Sequence, residues 1–266
     1  MHTSTQHCAG ESSMLGSERR LEIIRLLEEK KAVKVSYLSQ VFNVSEATIR
    51  RDLGKLAQQG LLQKTYGGAI VKEGGRSWGT LEAGTDPFLE EKRRIGKATA
   101  ELIENGDTIC LQAGSTTLQV ARCLTGRNSL TVLTNDIDIA HELSQSPGIR
   151  VNLSGGILRE GTRILVGPLA EQAISQFHVD KAILGVSAIS LTEGLTNVDL
   201  LDAQIKTAMM KGADEVIVVA DHSKLGQVHF AKVAPITAMD KLVVDDGISP
   251  EDVEAFEAEG VEVIVC

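Results

Sequence analysis

Short apolar segments rich in β-branched residues alternate with amphipathic helical segments between Phe88 and Cys266. The seven strand candidates are TICL, LTVLT, RVNLS, KAILGVS, EVIVVAD, KLVVDD and VEVIVC. Helical patterns separate most of them, including TTLQVARCL, DIDIAHEL, GPLAEQAISQF and DAQIKTAMMKGA, and FLEEKRRIGKATAELI precedes the first. Neighbouring parallel strands need long crossovers, and a helix is the usual one. The pattern therefore predicts an α/β domain over residues 88–266, with a mostly parallel sheet covered by helices.

The charge of the chain is divided unevenly along its length. The 266 residues have a formal net charge of −9, yet residues 18–72 hold eleven Lys and Arg against six Asp and Glu. Residues 73–266 hold sixteen cationic residues against 29 acidic ones. This distribution indicates that the basic block binds a polyanion and that the acidic body does not. On charge alone, a solvated basic surface without a partner is an equal alternative.

The basic block has the pattern of three short helices. Apolar residues recur at helical spacing in the first two, ERRLEIIRLLEEK and AVKVSYLSQVF, at Leu21, Ile23, Ile24, Leu27, Val35, Leu38, Val41 and Phe42. In the third helix, EATIRRDLGKLAQQ, we expect Ile49, Leu53 and Leu56 to face inward. Ser45 is a suitable N-cap, and Gly60 is a suitable stop. Two short helices joined by a tight turn predict a helix-turn-helix, whose second helix enters the major groove of DNA.

Outward-facing residues of the third helix are the candidates for DNA contacts, namely Ser45, Glu46, Thr48, Arg50, Arg51 and Lys55. Arg50 or Arg51 either reads a guanine or pairs with a backbone phosphate. Two β-prone runs then flank Tyr66-Gly67-Gly68, and paired glycines favour the tight turn of a hairpin. This hairpin is the wing of a winged helix-turn-helix, and it adds Lys64 and Tyr66 to the candidates.

Composition predicts the domain limits. Residues 1–17 lack periodicity and are interpreted as a disordered tail, and Met14 is an alternative start. Residues 18–72 form the winged helix-turn-helix domain, residues 73–87 a glycine-rich flexible linker, and residues 88–266 the acidic domain. No apolar run approaches the roughly 20 residues that span a membrane, and no secretory signal pattern is present. We therefore expect a cytoplasmic protein without a membrane partner.

The cysteines and histidines give no metal signature. Cys8, Cys110, Cys123 and Cys266 form no CxxC pair and are interpreted as buried reduced thiols. His222 and His229 have no cluster of potential ligands around them. No metal or other cofactor is therefore predicted.

Four loops of the acidic body are candidates for ligand binding, because parallel sheets bind ligands at the carboxyl ends of their strands. Small and polar residues follow the first, second, third and fifth strands: Gly114, Ser115, Thr116 and Thr117; Asn135 and Asp136; Gly155 and Gly156; Asp221 and Lys224. The first group opens a helix, whose free amides suit a phosphate. No GK[ST] sequence is present, so a nucleoside triphosphate is not expected. Each loop alone is explained by turn chemistry; together they predict a polyol-phosphate pocket.

These motifs resemble one bacterial family. VSEATIRRDLGKLAQQGLLQKTYGGAI resembles the DNA-binding domain of the DeoR family of sugar-pathway repressors. The body resembles the family's sensor domain through EKRRIGKATAELIENGDTI, AGSTT, LTVLTND, SGGILR, VGPLAEQAI, DKAILGVSAIS, GLTN and DHSKLG. The resemblance covers about residues 17–246. It implies a fold related to ribose-5-phosphate isomerase, and a phosphorylated sugar or sugar alcohol near Ser115, Thr116, Thr117 and Lys224.

The chain departs from the family pattern in both domains. Family members often carry Arg and His where this chain has Lys64 and Tyr66, which bears on the contacts of the wing. They often carry Asp in place of Gln112, and an Asn-Glu-Ala run in place of residues 201–203. The last two departures bear on the choice of effector.

Three functions follow from the sequence. The first is a repressor of a sugar or sugar-alcohol catabolic operon, a homodimer or tetramer that binds a double-stranded DNA operator and senses a sugar phosphate. The second is a sugar-phosphate isomerase or deaminase with an accessory DNA module, for which Asp199, Asp202 and Asp221 are available bases. The third is a protein-interaction module. The basic residues favour the first, and no catalytic residue is assigned.

Overall fold

A computed structural model describes residues 16–30, 32–58, 62–65, 67–70 and 86–266. These residues divide into two compact units, one on each side of the segment 71–85. Residues 1–15 of the predicted tail, most of the predicted linker, Cys8, Gly60 and Tyr66 lie outside the described residues, whereas Gly16 and Ser17 of that tail are helical. None of the described helices combines the length and apolar character that crossing a lipid bilayer requires.

The N-terminal unit is a winged helix-turn-helix. Its elements are α1 (Gly16–Lys30), β1 (Ala32–Lys34), α2 (Val35–Val41), α3 (Glu46–Gln58), β2 (Gln63–Thr65) and β3 (Gly68–Ile70). Strand β3 pairs antiparallel with β2 in the wing and with β1 on its other side. The three helices and the wing confirm the sequence prediction. Strand β1 was not predicted, because three residues of AVK carry no strand pattern of their own.

The apolar stripes of the three helices meet in one core. Ile23, Leu38 and Ile49 are fully buried, and Leu27, Leu53 and Leu56 are nearly so. The placement of Val41 in the apolar stripe of the second helix was wrong, since its side chain is 48% exposed. At about 100° per residue, position 41 lies off the face that carries Val35 and Leu38, whereas Phe42 returns to it and packs against the core.

A buried ion pair joins α1 to α3. The Asp52 carboxylate lies 2.7 Å from Nε of Arg19 and 3.4 Å from Nη1 of Arg20. Asp52 is 4% exposed, so it faces the interior rather than the outer face of α3. The Asp of the TIRRDL sequence therefore holds the helices together.

The C-terminal unit alternates helices and strands as predicted. Its elements are α4 (Leu89–Glu101), β4 (Thr108–Leu111), α5 (Ser115–Leu124), β5 (Leu130–Thr134), α6 (Ile137–Ser144), β6 (Ile149–Leu153), β7 (Ile157–Leu158), β8 (Leu165–Val166), α7 (Pro168–Ile174), β9 (Val179–Gly185), β10 (Ala188–Ser190), β11 (Gly194–Asn197), α8 (Leu200–Lys211), β12 (Ala213–Ala220), β13 (Ala231–Ala234), β14 (Lys241–Val244), α9 (Pro250–Ala258) and β15 (Glu262–Val265). A short 3₁₀ helix, His222–Lys224, follows β12.

Seven strands form one parallel sheet in the order β15-β14-β12-β9-β4-β5-β6. They are the seven predicted strands, shifted by at most two residues at their ends. Alternate residues of β9 enter opposite cores, with Ala182 and Leu184 on one face and Ile183 on the other. Helices α4, α5 and α6 cover the face of Ile183, and α7, α8 and α9 cover the opposite face. The predicted α/β architecture is therefore confirmed.

The order of the strands reverses between β4 and β9. The chain adds β5 and β6 on one side of β4, then returns to place β9 on the other side and continues to β12, β14 and β15. Helices on the two sides of such a reversal separate, and they leave a crevice at the carboxyl ends of β4 and β9. The topology therefore fixes where a ligand can enter.

Smaller features were not predicted. Strands β10, β11 and β13 form an antiparallel sheet, and β7 and β8 form a hairpin. Cys110 is buried as expected, but the interpretation of Cys123 as a buried thiol was wrong because that residue is exposed. Cys123 precedes the buried Leu124 on α5 and lies on the outer side of that helix.

Replacing Asp52 with Ala should destabilise the N-terminal unit by about 3–5 kcal/mol, because it leaves the buried Arg19 guanidinium without this partner. Chemical denaturation of the full chain, followed by a probe in α1, measures this loss. Glu22→Ala, which breaks an exposed pair with Arg25, is the control and should change stability by less than about 1 kcal/mol. Equal stability of the two variants would show that the pair of Asp52 and Arg19 does not hold the unit together.

Candidate functional site

The outward face of α3 begins at its N-cap. The Ser45 hydroxyl accepts a hydrogen bond from the amide of Thr48 at 3.2 Å and lies 2.9 Å from the Thr48 hydroxyl. Ser45, Glu46, Arg50, Arg51 and Lys55 are exposed, and Thr48 is half-buried. The structure thus presents the predicted contact residues of this helix to solvent. A helix start with an exposed cap also presents free amides to a phosphate.

The adjacent Arg50 and Arg51 on this face differ in whether their side chains form an ion pair. The Arg50 guanidinium lies 3.1 Å from the carboxylate of Glu46, four residues earlier on the helix, and this ion pair is exposed. Arg51 makes no hydrogen bond or ion pair within the described part of the chain. An exposed pair is weak, so a DNA phosphate can compete with Glu46. Lys64 is exposed on β2 of the wing, and Tyr66 lies outside the described residues.

A crevice lies at the carboxyl ends of β4, β9 and β12. It contains about 410 Å³ of space, part of which is open to solvent. Its lining consists of Ala113, Gly114, Thr116, Ile164, Gly185, Val186, Ser187, Asp202, Lys206, Val219, Ala220, Asp221 and Lys224. The crevice occupies the position that the reversal between β4 and β9 dictates.

Helix α5 starts at the wall of this crevice. Gly114 and Thr116 line it, and Ser115 is the first residue of the helix. The first amides of a helix have no partner within it and carry a partial positive charge. Together with the buried Lys224 and Lys206, they make this wall suitable for an anionic group.

Three of the predicted pocket residues shape the loops around the crevice. The Thr117 hydroxyl donates to the Gly114 carbonyl at 2.9 Å. Asn135 accepts from the Ala113 amide at 2.9 Å and donates to the Leu165 carbonyl at 3.0 Å. Asp136 caps α6, and burial raises the pKa of its carboxyl.

Gly155 and Gly156 do not line the crevice, and neither do Asn135 and Asp136, so only the loops after the first and fifth predicted strands meet there. Both have positive φ angles, 67° and 112°. A Cβ on Gly156 would lie 2.8 Å from the Ala170 Cβ and from the Val166 carbonyl oxygen. These glycines therefore serve the turn and its packing against α7.

Helix α8 contributes a buried ion pair that the sequence analysis did not place in the pocket. The Asp202 carboxylate lies 2.6 Å from Nζ of Lys206 and accepts from Asn197 at 2.6 Å and from Gln112 at 3.2 Å. Burial opposes ionisation of Asp202, but the charge and hydrogen bond of Lys206 outweigh it, and the pKa of Asp202 is lowered. The i, i+4 spacing of Asp202 and Lys206 was the available signal.

A second buried charge network lies below the crevice. Asp221 is fully buried, and one of its oxygens accepts from the Ser223 amide at 3.2 Å. Its other oxygen lies 3.9 Å from Nζ of Lys92, which in turn lies 2.6 Å from the Asp86 carboxylate. Lys92 thus connects the floor of the crevice with the first described residue of the C-terminal unit.

Three buried side-chain polar atoms of the described residues have no hydrogen-bond partner: Gln112 Oε1, Ser115 Oγ and Asp221 Oδ2. Asp221 lines the crevice, Ser115 lies between the lining residues Gly114 and Thr116, and Gln112 precedes the lining residue Ala113. Nearly all buried polar atoms in folded proteins are paired, because an unpaired one costs about 1–3 kcal/mol. Their concentration here indicates a site built to receive hydrogen bonds from another molecule.

Asp202→Asn should destabilise the C-terminal unit in a pH-dependent way. Because the folded pKa is lowered, the ionised carboxylate stabilises the fold above its unfolded pKa of about 3.9, and this contribution is lost as the pH falls through the folded value. We expect a loss of about 1–3 kcal/mol at pH 7 that shrinks in acid. Denaturation at several pH values measures it, with the exposed Asp214→Asn as control. A loss independent of pH would contradict the ionised pair.

Comparisons with known proteins agree with this arrangement. The DeoR-like helix-turn-helix domain matches residues 19–74, and the DeoR C-terminal sensor domain matches residues 88–246. The putative aga operon transcriptional repressor of Escherichia coli O157:H7 is 32% identical over 98% of both chains. The transcriptional repressor AccR of Agrobacterium fabrum is 37% identical over 86% of this chain and 90% of that protein.

A more distant likeness is to ribose 5-phosphate isomerase from Plasmodium falciparum, with 19% identity, a TM-score of 0.38, and coverage of 52% of this chain and 53% of that chain. This likeness carries no inference about activity. The two matched domains span most of the sequence, and the relatives are similar over nearly their whole length. The chain therefore belongs to the DeoR family of helix-turn-helix transcriptional regulators.

Proposed function

We propose that this protein represses a sugar or sugar-alcohol catabolic operon, and that a phosphorylated sugar in the crevice changes its affinity for DNA. Relatives that cover this chain include the HTH-type transcriptional repressor GlcR of Bacillus subtilis, 34% identical over 95% of this chain. The basic N-terminal unit binds the operator through α3 and the wing. The acidic C-terminal unit binds the effector.

The observation that carries the effector half of the proposal is the group of unpaired polar atoms around the crevice. A sugar phosphate supplies hydroxyl donors for Gln112 Oε1 and Asp221 Oδ2, and its phosphate accepts from Ser115 and the first amides of α5. Lys224, which is 6% exposed and lines the crevice, adds positive charge near that phosphate. One ligand thus satisfies groups that the fold leaves unpaired.

Two of the three candidate bases, Asp202 and Asp199, do not support an isomerase or deaminase. A general base works best with a pKa near the operating pH, whereas the pKa of Asp202 is lowered. Asp199 accepts from the Asp202 amide at 2.9 Å and caps α8. We therefore propose a binding role without turnover, and incubation of the protein with sugar phosphates tests it, since product formation would contradict it.

Operator binding is proposed to involve a homodimer or tetramer. A single recognition helix contacts few base pairs, and regulators of this type bind repeated half-sites as symmetric oligomers. Light scattering of the full chain with and without operator DNA tests this part of the proposal.

Coupling between the two units is proposed to run through Lys92. An effector hydroxyl that binds Asp221 changes the charge that Lys92 shares between Asp221 and Asp86. Asp86 also accepts a hydrogen bond from the Phe88 amide at 3.0 Å, so it fixes the start of α4. Asp86 lies at the end of the C-terminal unit that leads along the chain to the N-terminal unit, and a change at Asp86 is proposed to alter the DNA-binding domain.

Arg51→Ala should weaken operator binding about 10- to 100-fold and lower the slope of log affinity against log salt by about one, because one phosphate or base contact is lost. Fluorescence anisotropy with labelled duplex at several salt concentrations measures both. Arg50→Ala should have a smaller effect, since Arg50 must first leave Glu46. Arg25→Ala, on the exposed side of α1, is the control. Wild-type binding by both Arg51→Ala and Arg50→Ala would refute the recognition-helix assignment.

Asp86→Asn should uncouple the effector from DNA. The amide keeps the shape of the side chain but removes the charge that holds Lys92. We expect the variant to bind DNA and effector separately with near wild-type affinity. The effector changes DNA affinity about 5- to 150-fold in allosteric proteins, and in this variant we expect that factor to fall towards one. Asp246→Asn, which alters an exposed pair with Arg94, is the matched control. A full effector response in Asp86→Asn would exclude this route.

A further inference from the structure

We infer that Gln112 and Gly185 form a hydroxyl-binding subsite at the inner wall of the crevice, which selects ligands that carry an uncharged hydroxyl at that point. The inference rests on the proposed function, because it refines which ligand the crevice accepts. Gln112 directly follows β4, and Gly185 is the last residue of β9. These two strands are neighbours where the strand order reverses, so the topology places the two residues together.

The Gln112 amide is held in one orientation. Its Nε2 donates to the Asp202 carboxylate at 3.2 Å, and a carboxylate accepts hydrogen bonds but does not donate them when ionised. Asp202 is ionised because its pKa is lowered. The Gln112 Oε1 must therefore point away from Asp202, where it is buried without a partner.

Gly185 leaves space beside this oxygen. It lines the crevice, and a Cβ built on it would lie 3.6 Å from Gln112 Oε1 and 3.8 Å from Thr117 Cγ2, with no closer contact. A ligand oxygen slightly deeper than that point reaches hydrogen-bond distance of Oε1. Because Gly185 has no Cβ, it leaves room for a ligand donor to approach this acceptor from the crevice wall.

The charges around Gln112 favour a neutral donor. Lys206 Nζ lies 2.6 Å from the Asp202 carboxylate, which also accepts hydrogen bonds from Asn197 and Gln112. A ligand ammonium beside Gln112 would gain little from Asp202, because Lys206 already neutralises that carboxylate. A ligand without a donor at this point would leave Oε1 without a hydrogen bond. We expect such a ligand to bind about tenfold or more weakly.

Calorimetric titration of the full-length protein tests the subsite. The probes are glucose 6-phosphate, fructose 6-phosphate, ribose 5-phosphate and sorbitol 6-phosphate, with deoxy and amino counterparts of whichever probe binds. We expect one deoxy and one amino counterpart, altered at the same carbon, to bind at least about tenfold more weakly than the parent.

Two variants separate the subsite from a general effect on folding. Gly185→Ala places a methyl group in the space without a clash, so it should fold with an unchanged melting temperature yet bind the parent probe about tenfold more weakly. Gln112→Glu sets a second carboxylate against Asp202, and the two can share the site only with a proton between them. Its affinity relative to wild type should therefore rise as the pH is lowered from 8 to 6. Gln204→Glu, an exposed change on α8, should match wild type throughout.

The outcomes are distinct. Wild-type affinity in Gly185→Ala, or a Gln112→Glu to wild-type ratio that does not vary with pH, would overturn the subsite while the effector proposal stands. If no probe binds the wild-type protein, the proposed effector class is wrong and the subsite falls with it. Equal binding of a parent and all of its deoxy counterparts would also refute hydroxyl selection.

Discussion

The parallel pairing of β4 with β9 is the constraint on which the C-terminal unit depends. It joins two halves of the sheet that the chain builds in opposite directions, and it creates the crevice. Both strands are buried on both faces, so neither can shift its register without moving a whole row of apolar side chains between cores. The loops that follow these strands are therefore held rigidly, although they carry small and polar residues.

Buried charges around the crevice exist because each has close partners. Asp202 has Lys206, Asn197 and Gln112, and Lys92 has Asp86. Removing charges from water is costly unless hydrogen bonds and opposite charges compensate. The side-chain atoms that lack a hydrogen-bond partner, on Gln112, Ser115 and Asp221, belong to residues that line the crevice or adjoin its lining residues, and the proposed ligand would complete this network.

The N-terminal unit separates its charges by role. Arg19 and Asp52 are buried and join helices, whereas Arg50, Arg51 and Lys55 lie on the exposed face of the same α3 segment. Arg51 therefore lies on the proposed DNA surface, whereas the next residue, Asp52, lies in the core. The 100° turn per residue of an α-helix is sufficient to explain this difference.

The sequence by itself determined the main elements and the family, but not the short strands. Apolar β-branched runs and helical periodicity are local patterns, so the seven strands, the recognition helix and the inward Ile49, Leu53 and Leu56 were predictable. Tertiary structure alone decided which loops meet. The sequence favoured the loops of Asn135 and Asp136 and of Gly155 and Gly156 for the pocket. The lining of the crevice lacks all four and instead includes Asp202, Lys206 and Gly185. That choice depends on strand order and on the side of the sheet each loop leaves, and no local pattern encodes either of these.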